Sequence, residues 1–234
     1  MSGGDLAPEA ETEAETGADA ETVTNALVAA LAGAREHTDP FRHWRVTGLW
    51  PDGVADALET LPFAVSPLTY QLGRREENNA ARAYFDPARQ ADHSACRAVA
   101  ESLQDRRTAE AIERLCGVDL SGSFLRIEYA VDRDGFWLEP HTDIGVKRFT
   151  MLVPISTGTD AADWGTDFYA DPAGPPLRQP FAANTALIFV PGSDTWHGFS
   201  RRPIAGARRS LIVNYVGPEW RARHELCFPD RPVF

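Results

Sequence analysis

The sequence has little cysteine and no long apolar segment. Cys96, Cys116 and Cys227 are its only cysteines, they lie far apart, and none belongs to a Cys-x-x-Cys pair. This argues against a disulfide framework and against a thiolate zinc site. No stretch approaches the roughly 20 apolar residues that cross a bilayer, and the N-terminus has neither the basic start nor the apolar run of a secretory signal. We expect a cytoplasmic protein with no membrane partner.

Positive charge is also scarce. The 234 residues include 23 Lys and Arg against 34 Asp and Glu, a net charge of -11, which argues against a nucleic-acid partner because phosphate binding needs clustered basic side chains. Residues 1–22 hold seven acidic residues, no Lys or Arg, and almost nothing large to bury. We predict a disordered acidic tail over 1–22 and a single domain over 23–234.

The first half of this domain predicts helices and the second half predicts strands. Helical patterns begin near 24, 52 and 94; Asp52 is placed to cap the second, and Gly117 to end the third after a break near 104–107. Short β-branched and aromatic runs follow at 124–130, 148–156, 167–170, 186–190 and 210–216. Their spacing is typical of an antiparallel sandwich or barrel. We expect helical support and a polar substrate loop over 23–118, a strand core over 119–218 and an extension over 219–234.

Two histidines and one aspartate form a candidate metal site. In Glu139-Pro-His-Thr-Asp143 the His and Asp are two residues apart, so on a strand their side chains leave from the same face. His197 follows a predicted strand and turn 54 residues after Asp143. Two imidazoles and one carboxylate make the facial triad typical of non-haem iron(II), which leaves open coordination positions.

A carboxylate-binding pair is predicted on the last strand. Arg208 and Ser210 open the apolar run 211–216, eleven residues after His197, and the period of two places them on one face. A guanidinium beside a hydroxyl suits bidentate capture of a carboxylate.

His-Thr-Asp, a distant His and Arg-x-Ser opening a strand together resemble the iron(II)/2-oxoglutarate-dependent dioxygenase superfamily, over roughly residues 120–218. The resemblance implies a double-stranded β-helix, the jelly-roll or cupin-like core, packed on N-terminal helices. It implies iron ligation by His141, Asp143 and His197, and binding of 2-oxoglutarate by Arg208 and Ser210, with O2 as the oxidant. Related halogenases are similar but have Ala or Gly in place of the aspartate. Asp143 therefore favours hydroxylation or desaturation.

Further candidates surround this constellation. Tyr129 and Asn214 are candidate contacts of the co-substrate, and Trp196 of the substrate. Glu128 shares a strand face with Arg126 and could hold a substrate ammonium group. The candidates in the polar loop for a substrate carboxylate are Arg74, Arg75 and Arg82.

We expect a small metabolite as substrate, such as a free amino acid or a derivative, hydroxylated at an unactivated C–H bond with release of succinate and CO2. A peptide or protein substrate is the alternative for the same chemistry. A zinc hydrolase could also use His-Asp-His, but it would not need Arg208. A jelly-roll binding module would not need the triad. The substrate and the oligomeric state are not indicated by the sequence.

Overall fold

The computed structural model describes residues 19–64, 73–74 and 82–234. Its helices are α1 (Ala20–Ala32), α2 (Asp52–Glu59), α3 (Pro87–Asp92), α4 (Ser94–Gln104) and α5 (Arg106–Cys116). Its strands are β1 (Arg35–His37), β2 (His43–Thr47), β3 (Ala83–Tyr84), β4 (Phe124–Asp132), β5 (Leu138–His141), β6 (Lys147–Pro154), β7 (Asp167–Tyr169), β8 (Leu177–Arg178), β9 (Thr185–Phe189), β10 (Trp196–Phe199) and β11 (Arg208–Val216). The expected class, mainly β with N-terminal helices, is confirmed.

The strands form two antiparallel sheets. The larger sheet has the order β1-β2-β9-β6-β11-β4-β3 and the smaller one β5-β10-β7-β8. Strands distant in sequence are neighbours, since β11 lies between β6 and β4. The chain also passes repeatedly between the sheets, because β5, β7, β8 and β10 lie in the smaller sheet and β6, β9 and β11 in the larger one. This is the topology of a double-layered β core.

Side-chain alternation divides the larger sheet into two faces. On β11, Leu211, Val213 and Tyr215 join the main hydrophobic core, which also contains Leu27 of α1 and Val99 of α4. The alternate residues of β11 face the smaller sheet. The helices therefore cover one face of the larger sheet, and the other face is left to build a site.

The helix ends follow local chemistry. Asp19 caps α1, because its side chain accepts a hydrogen bond from the Thr22 backbone N–H at 2.8 Å. Asp105 separates α4 from α5 and caps the latter, and Gly117 ends α5 in the left-handed conformation at φ 71°. The expected break and the expected stop at Gly117 are both confirmed.

Two expectations about helix boundaries are wrong. The acidic tail was expected to reach residue 22, but α1 begins at Ala20, and Glu21 in its first turn pairs with Arg107. Asp52 does not cap α2: Pro51 occupies the N-cap position and Asp52 is the first helical residue. No helix within the described ranges is both long and apolar enough to cross a membrane.

Candidate functional site

The two predicted histidines meet in the smaller sheet. His141 ends β5, His197 lies on β10, and the two are direct partners in the antiparallel register, with ring centroids 4.4 Å apart. Asp143 follows two residues after His141. Each of the three residues offers a ligand atom, and these atoms all lie within 4.8 Å of one another. The strand pairing thus assembles the predicted triad.

Backbone carbonyls fix the orientation of both imidazoles. The carbonyl oxygens of Glu139 and Thr195 lie 2.9 Å from Nδ1 of His141 and His197, respectively. Because a carbonyl can only accept, each Nδ1 carries the proton, and each Nε2 presents a lone pair. Histidine ligands in metal sites are commonly oriented by such a bond from the other ring nitrogen.

The protonation state of His197 allows it to bind a metal ion at neutral pH. The residue is 7% exposed, and burial lowers the pKa of its imidazole to about 4. Below that value the ring would carry a proton in place of a metal ion. At pH 7 the imidazole is neutral and able to coordinate.

Asp143 is held by two side chains of β6. One oxygen contacts the ammonium group of Lys147, and the other accepts from the Thr150 hydroxyl at 2.7 Å. Asn214 in turn donates to Thr150 at 2.9 Å. The Asp143 carboxylate therefore has a defined orientation before any ion binds.

Arg208 is buried, and it lies on the same face of the larger sheet as Asn214. Its Nε donates to the Trp164 carbonyl at 2.8 Å, and a terminal nitrogen donates to Asp132 at 2.6 Å. The guanidinium stacks near the rings of Phe181 and Phe199. Burial lowers the pKa of Arg208 from its usual value, and Asp132 partly offsets that effect. Its position is fixed by these contacts.

An inner cavity of about 260 Å³ contains both parts of the site. All three triad residues line it, together with Arg208 and Ser210. Its ionisable side chains other than histidine are Arg45, Arg82, Lys147, Arg208, Asp132 and Asp143. Glu128 pairs with Arg82 and cancels its charge, so the remaining three bases and two acids leave one positive charge in excess among the described residues. An anionic inner ligand is therefore favoured.

A second, outer cavity of about 470 Å³ meets the inner one at the triad. The two cavities share His141, Asp143, Lys147 and Leu138. A metal held by the triad would therefore be reached from both.

Tyr129 does not take part in the site. It is 1% exposed, belongs to the main core, and its hydroxyl donates to the Leu58 carbonyl at 2.7 Å. The prediction that Tyr129 contacts the co-substrate is wrong, because alternation along β4 turns it toward the helices. Trp196 alternates with His197 on β10 and is half-buried, and it lines neither of these two cavities.

Asn214 is on the expected face but behind the cavity. It is fully buried and reaches the triad only through Thr150. The structure therefore supports a positioning role in place of the predicted contact with the co-substrate.

The substrate candidates separate into three groups. Arg82 lines the inner cavity and is paired with Glu128, which is fully buried and also accepts from Arg126 at 2.7 Å. Arg74 lines the outer cavity, exposed, 3.3 Å from Glu139. Arg75 lies outside the described residues.

Sequence reasoning missed the partners of the site. Lys147 and Thr150 hold Asp143, and Asp132 holds Arg208. Cross-strand register brings them there, since Asp132 is the partner of Arg208, and Thr150 of Asn214. On β4 the alternation of Arg126, Glu128 and Asp132 was a sequence signal for a polar face, whereas Lys147 and Thr150 of β6 are three residues apart and gave no such signal.

Neither a family model nor a curated protein matches the sequence. Several solved structures are similar to this chain in fold. A prolyl 4-hydroxylase from Phytophthora capsici aligns with a TM-score of 0.58 and 14% identity over 91% of this chain and 70% of that one. The viral collagen prolyl hydroxylase of Paramecium bursaria Chlorella virus-1, solved as a 2-oxoglutarate complex, gives 0.54 and 13% over 77% and 98%. The non-haem α-ketoglutarate-dependent epimerase SnoN of nogalamycin biosynthesis gives 0.50 and 16% over 84% of each chain. The chain shares the jelly-roll fold of these proteins, which confirms the expected fold.

The donor set fits iron(II). Two neutral imidazoles and one carboxylate are oriented by the backbone, Lys147 and Thr150, and both cavities reach the position between them. Such a triad occupies one side of an octahedral ion and leaves the opposite positions for other ligands.

Proposed function

We propose that the protein is an iron(II)- and 2-oxoglutarate-dependent oxygenase that hydroxylates an unactivated C–H bond of a small metabolite, such as a free amino acid or a derivative. Succinate and CO2 would be the other products. One observation carries the proposal. The triad and the buried Arg208 line the same inner cavity, and the bases of that cavity still exceed the acids by one when the Arg82–Glu128 pair is counted as neutral.

The arginine distinguishes this function from zinc hydrolysis. A hydrolase needs an ion and an activated water, and it has no use for a buried guanidinium in the same cavity as the ion. Placing a charged Arg208 there costs solvation. Asp132 offsets part of this cost at one terminal nitrogen of Arg208, and a ligand carboxylate could bind the other terminal nitrogen. The same reasoning argues against a binding module without metal chemistry.

The residues of this chain have separable tasks. Arg208 and Ser210 would receive the distal carboxylate of 2-oxoglutarate, and Lys147 and Thr150 keep Asp143 oriented. Apolar side chains such as Leu138, Leu187 and Phe199 line the inner cavity and limit the entry of water. Iron, when bound, supplies the activation of O2 that the protein's own groups do not provide.

The size of the outer cavity supports a small substrate. Pockets for small molecules commonly measure about 300–1,000 Å³, and the outer cavity, at about 470 Å³, falls in that range. The named structural relatives do not distinguish a small substrate from a peptide, since they include prolyl hydroxylases and an epimerase of nogalamycin biosynthesis.

An anaerobic titration of the metal-free protein with iron(II) and 2-oxoglutarate tests the proposal. We expect the weak visible charge-transfer band of the chelate in the wild type. The band should be lost in His197→Ala, and Arg208→Ala should weaken 2-oxoglutarate binding by about tenfold or more. Arg209→Ala is the matched control, because Arg209 neighbours Arg208 on β11 but points to the opposite face. Tightly held zinc with no such band would favour the hydrolase.

A further inference from the structure

Four ionisable side chains form a row that links the two cavities. Arg82, at the inner cavity, pairs with Glu128, and Glu128 pairs with Arg126. Arg126 donates through Nε to Glu225 at 2.5 Å, and these last two line the outer cavity. Charges alternate along the row, so each buried charge is compensated by its neighbour.

Arg126 is the fixed centre of the row. Its side chain is 2% exposed, and its guanidinium lies between the rings of Tyr84 and Trp220, at 4.8 and 5.1 Å. Burial alone lowers the pKa of Arg126, but Glu128 and Glu225 more than offset this and raise it. Arg126 therefore stays charged and holds Glu225 in place.

Glu225 is the member of the row that is open to a ligand. Its side chain is 12% exposed, and its Oε2 accepts a hydrogen bond from Arg126. Within the described part of the chain, Oε1 accepts no hydrogen bond. A carboxylate of this kind, held at one oxygen on a cavity wall, is able to accept a bond from a cationic ligand group.

The charges of the described residues around the outer cavity cancel. The acids among them are Asp143, Glu139 and Glu225, and the bases are Arg74, Arg126 and Lys147. The inner cavity has one positive charge in excess once the Arg82–Glu128 pair is counted as neutral, so the two cavities suit different ligands. A small molecule with one positive and one negative group would be favoured in the outer cavity over a dianion.

We infer that the outer cavity is the substrate site and that it takes a small zwitterion whose ammonium group is bound by Glu225. The inference rests on the proposed function. Arg74 is the partner for the negative group, because its contact with Glu139 is exposed and therefore weak enough to be exchanged. Leu138 and Ile144 supply apolar wall beside the triad, where the carbon to be oxidised must lie.

Succinate release by the iron- and 2-oxoglutarate-loaded enzyme tests the inference. The twenty protein-forming L-amino acids are added singly, and we expect at least one to stimulate release above the basal rate. Its N-acetyl derivative, which lacks the positive charge, should need about tenfold or more higher concentration for the same effect. Stimulation by none of the amino acids, or equally by the acetylated form, would overturn the inference.

Glu225→Gln isolates the proposed contact. The amide oxygen can still accept from Arg126, so only the charge is removed. We expect the KM of the stimulating amino acid to rise about tenfold, with little change in kcat, and the preference over the N-acetyl form to disappear. Glu36→Gln is the matched control, since Glu36 forms an exposed ion pair with Arg42 on the outermost strand of the larger sheet.

The two proposals fail in different ways. A charge-transfer band with no response to amino acids would leave the cofactor chemistry standing and refute only the zwitterion site. Stimulation by a peptide alone would also leave the cofactor chemistry standing, but it would refute both the zwitterion site and the proposed small-metabolite substrate. Absence of the band would refute the proposed function itself.

Discussion

At the scale of single residues, Thr150 is the link between the triad and the interior of the larger sheet. Its hydroxyl donates to Asp143 and receives a bond from Asn214. Groups that orient metal ligands commonly change metal affinity by about 10–100-fold when removed. Thr150→Val keeps the shape and should lower iron(II) affinity by at least about tenfold, measured by anaerobic competition with a chelator.

Thr24→Val serves as the control for this change. It removes a hydroxyl bond to the Ala20 carbonyl within α1, away from the triad. Metal affinity should stay at the wild-type value. Equal affinity in the two variants would show that the Thr150 bond does not orient Asp143.

A second residue, His43, should make the stability of the protein depend on pH in the acidic range. Its ring is 1% exposed, Nδ1 bonds to the Phe41 carbonyl, and Nε2 is buried without a partner in the described structure. Burial lowers the pKa of His43 below 6.5; His37 and Arg45 lower it further, while the Phe41 bond and Asp39 oppose. The folded state resists the proton and the unfolded state accepts it, so stability is lost as the pH falls below 6.5.

The measurement is the free energy of unfolding in urea at several pH values between 7.5 and 5. In His43→Phe the loss per pH unit should be smaller by up to about 1 kcal/mol. Unchanged pH dependence in that variant would mean that His43 is protonated in the folded protein.

How much the sequence predicts also differs from residue to residue. The spacing of two in Arg-x-Ser was sufficient, because both residues lie on β11 and alternation along one strand is a local property. The same spacing in His-Thr-Asp also predicted the pair correctly, although Asp143 lies just beyond the end of β5. Glu128 and Tyr129 could not both face the cavity for the same reason, and only the sheet packing decided between them. Lys147 and Asp132 depend on cross-strand register, which the order of residues does not reveal.

At the scale of elements, the contact between β5 and β10 depends on Gly198. A Cβ at this position would lie 2.7 Å from the Leu138 carbonyl oxygen and 3.1 Å from that of Glu139. The Glu139 carbonyl orients His141. Gly198→Ala should therefore push the two strands apart, at a cost of about 1–3 kcal/mol, and weaken metal binding.

Thermal unfolding and metal titration together test this expectation. Gly53→Ala is the control, because a Cβ there meets nothing within 4 Å and the position is helical. That variant should be as stable as the wild type or more so. Normal metal affinity in Gly198→Ala would exclude close strand contact as a requirement of the site.

At the scale of the whole molecule, the position at which the folded domain begins can be tested by truncation. Asp19 caps α1, and Glu21 pairs with Arg107 of α5. Removal of residues 1–18 retains the Asp19 cap. Removal of residues 1–22 deletes the cap, worth about 1 kcal/mol, and should lower the melting temperature by about 2–4 °C.

Calorimetry of the two truncations compares them directly. Equal melting temperatures would show that the capped first turn contributes nothing to stability. The sequence predicted one compact domain behind an acidic segment, but it misplaced the boundary by a few residues. Acidic residues in a tail and in a helical first turn have the same composition, and only the cap geometry separates them.

The row from Arg82 to Glu225 also limits how this protein can be redesigned. Its three inner members are buried, and replacing one of them alone would leave a buried charge without its partner, at a cost of about 3–5 kcal/mol. Glu225 stands at the partly exposed end, so an engineer seeking a new substrate could replace it with a residue that still accepts a hydrogen bond from Arg126, such as Gln. Mutational libraries aimed at altered specificity should therefore begin at Glu225 and spread outward to Arg74 and Ile144.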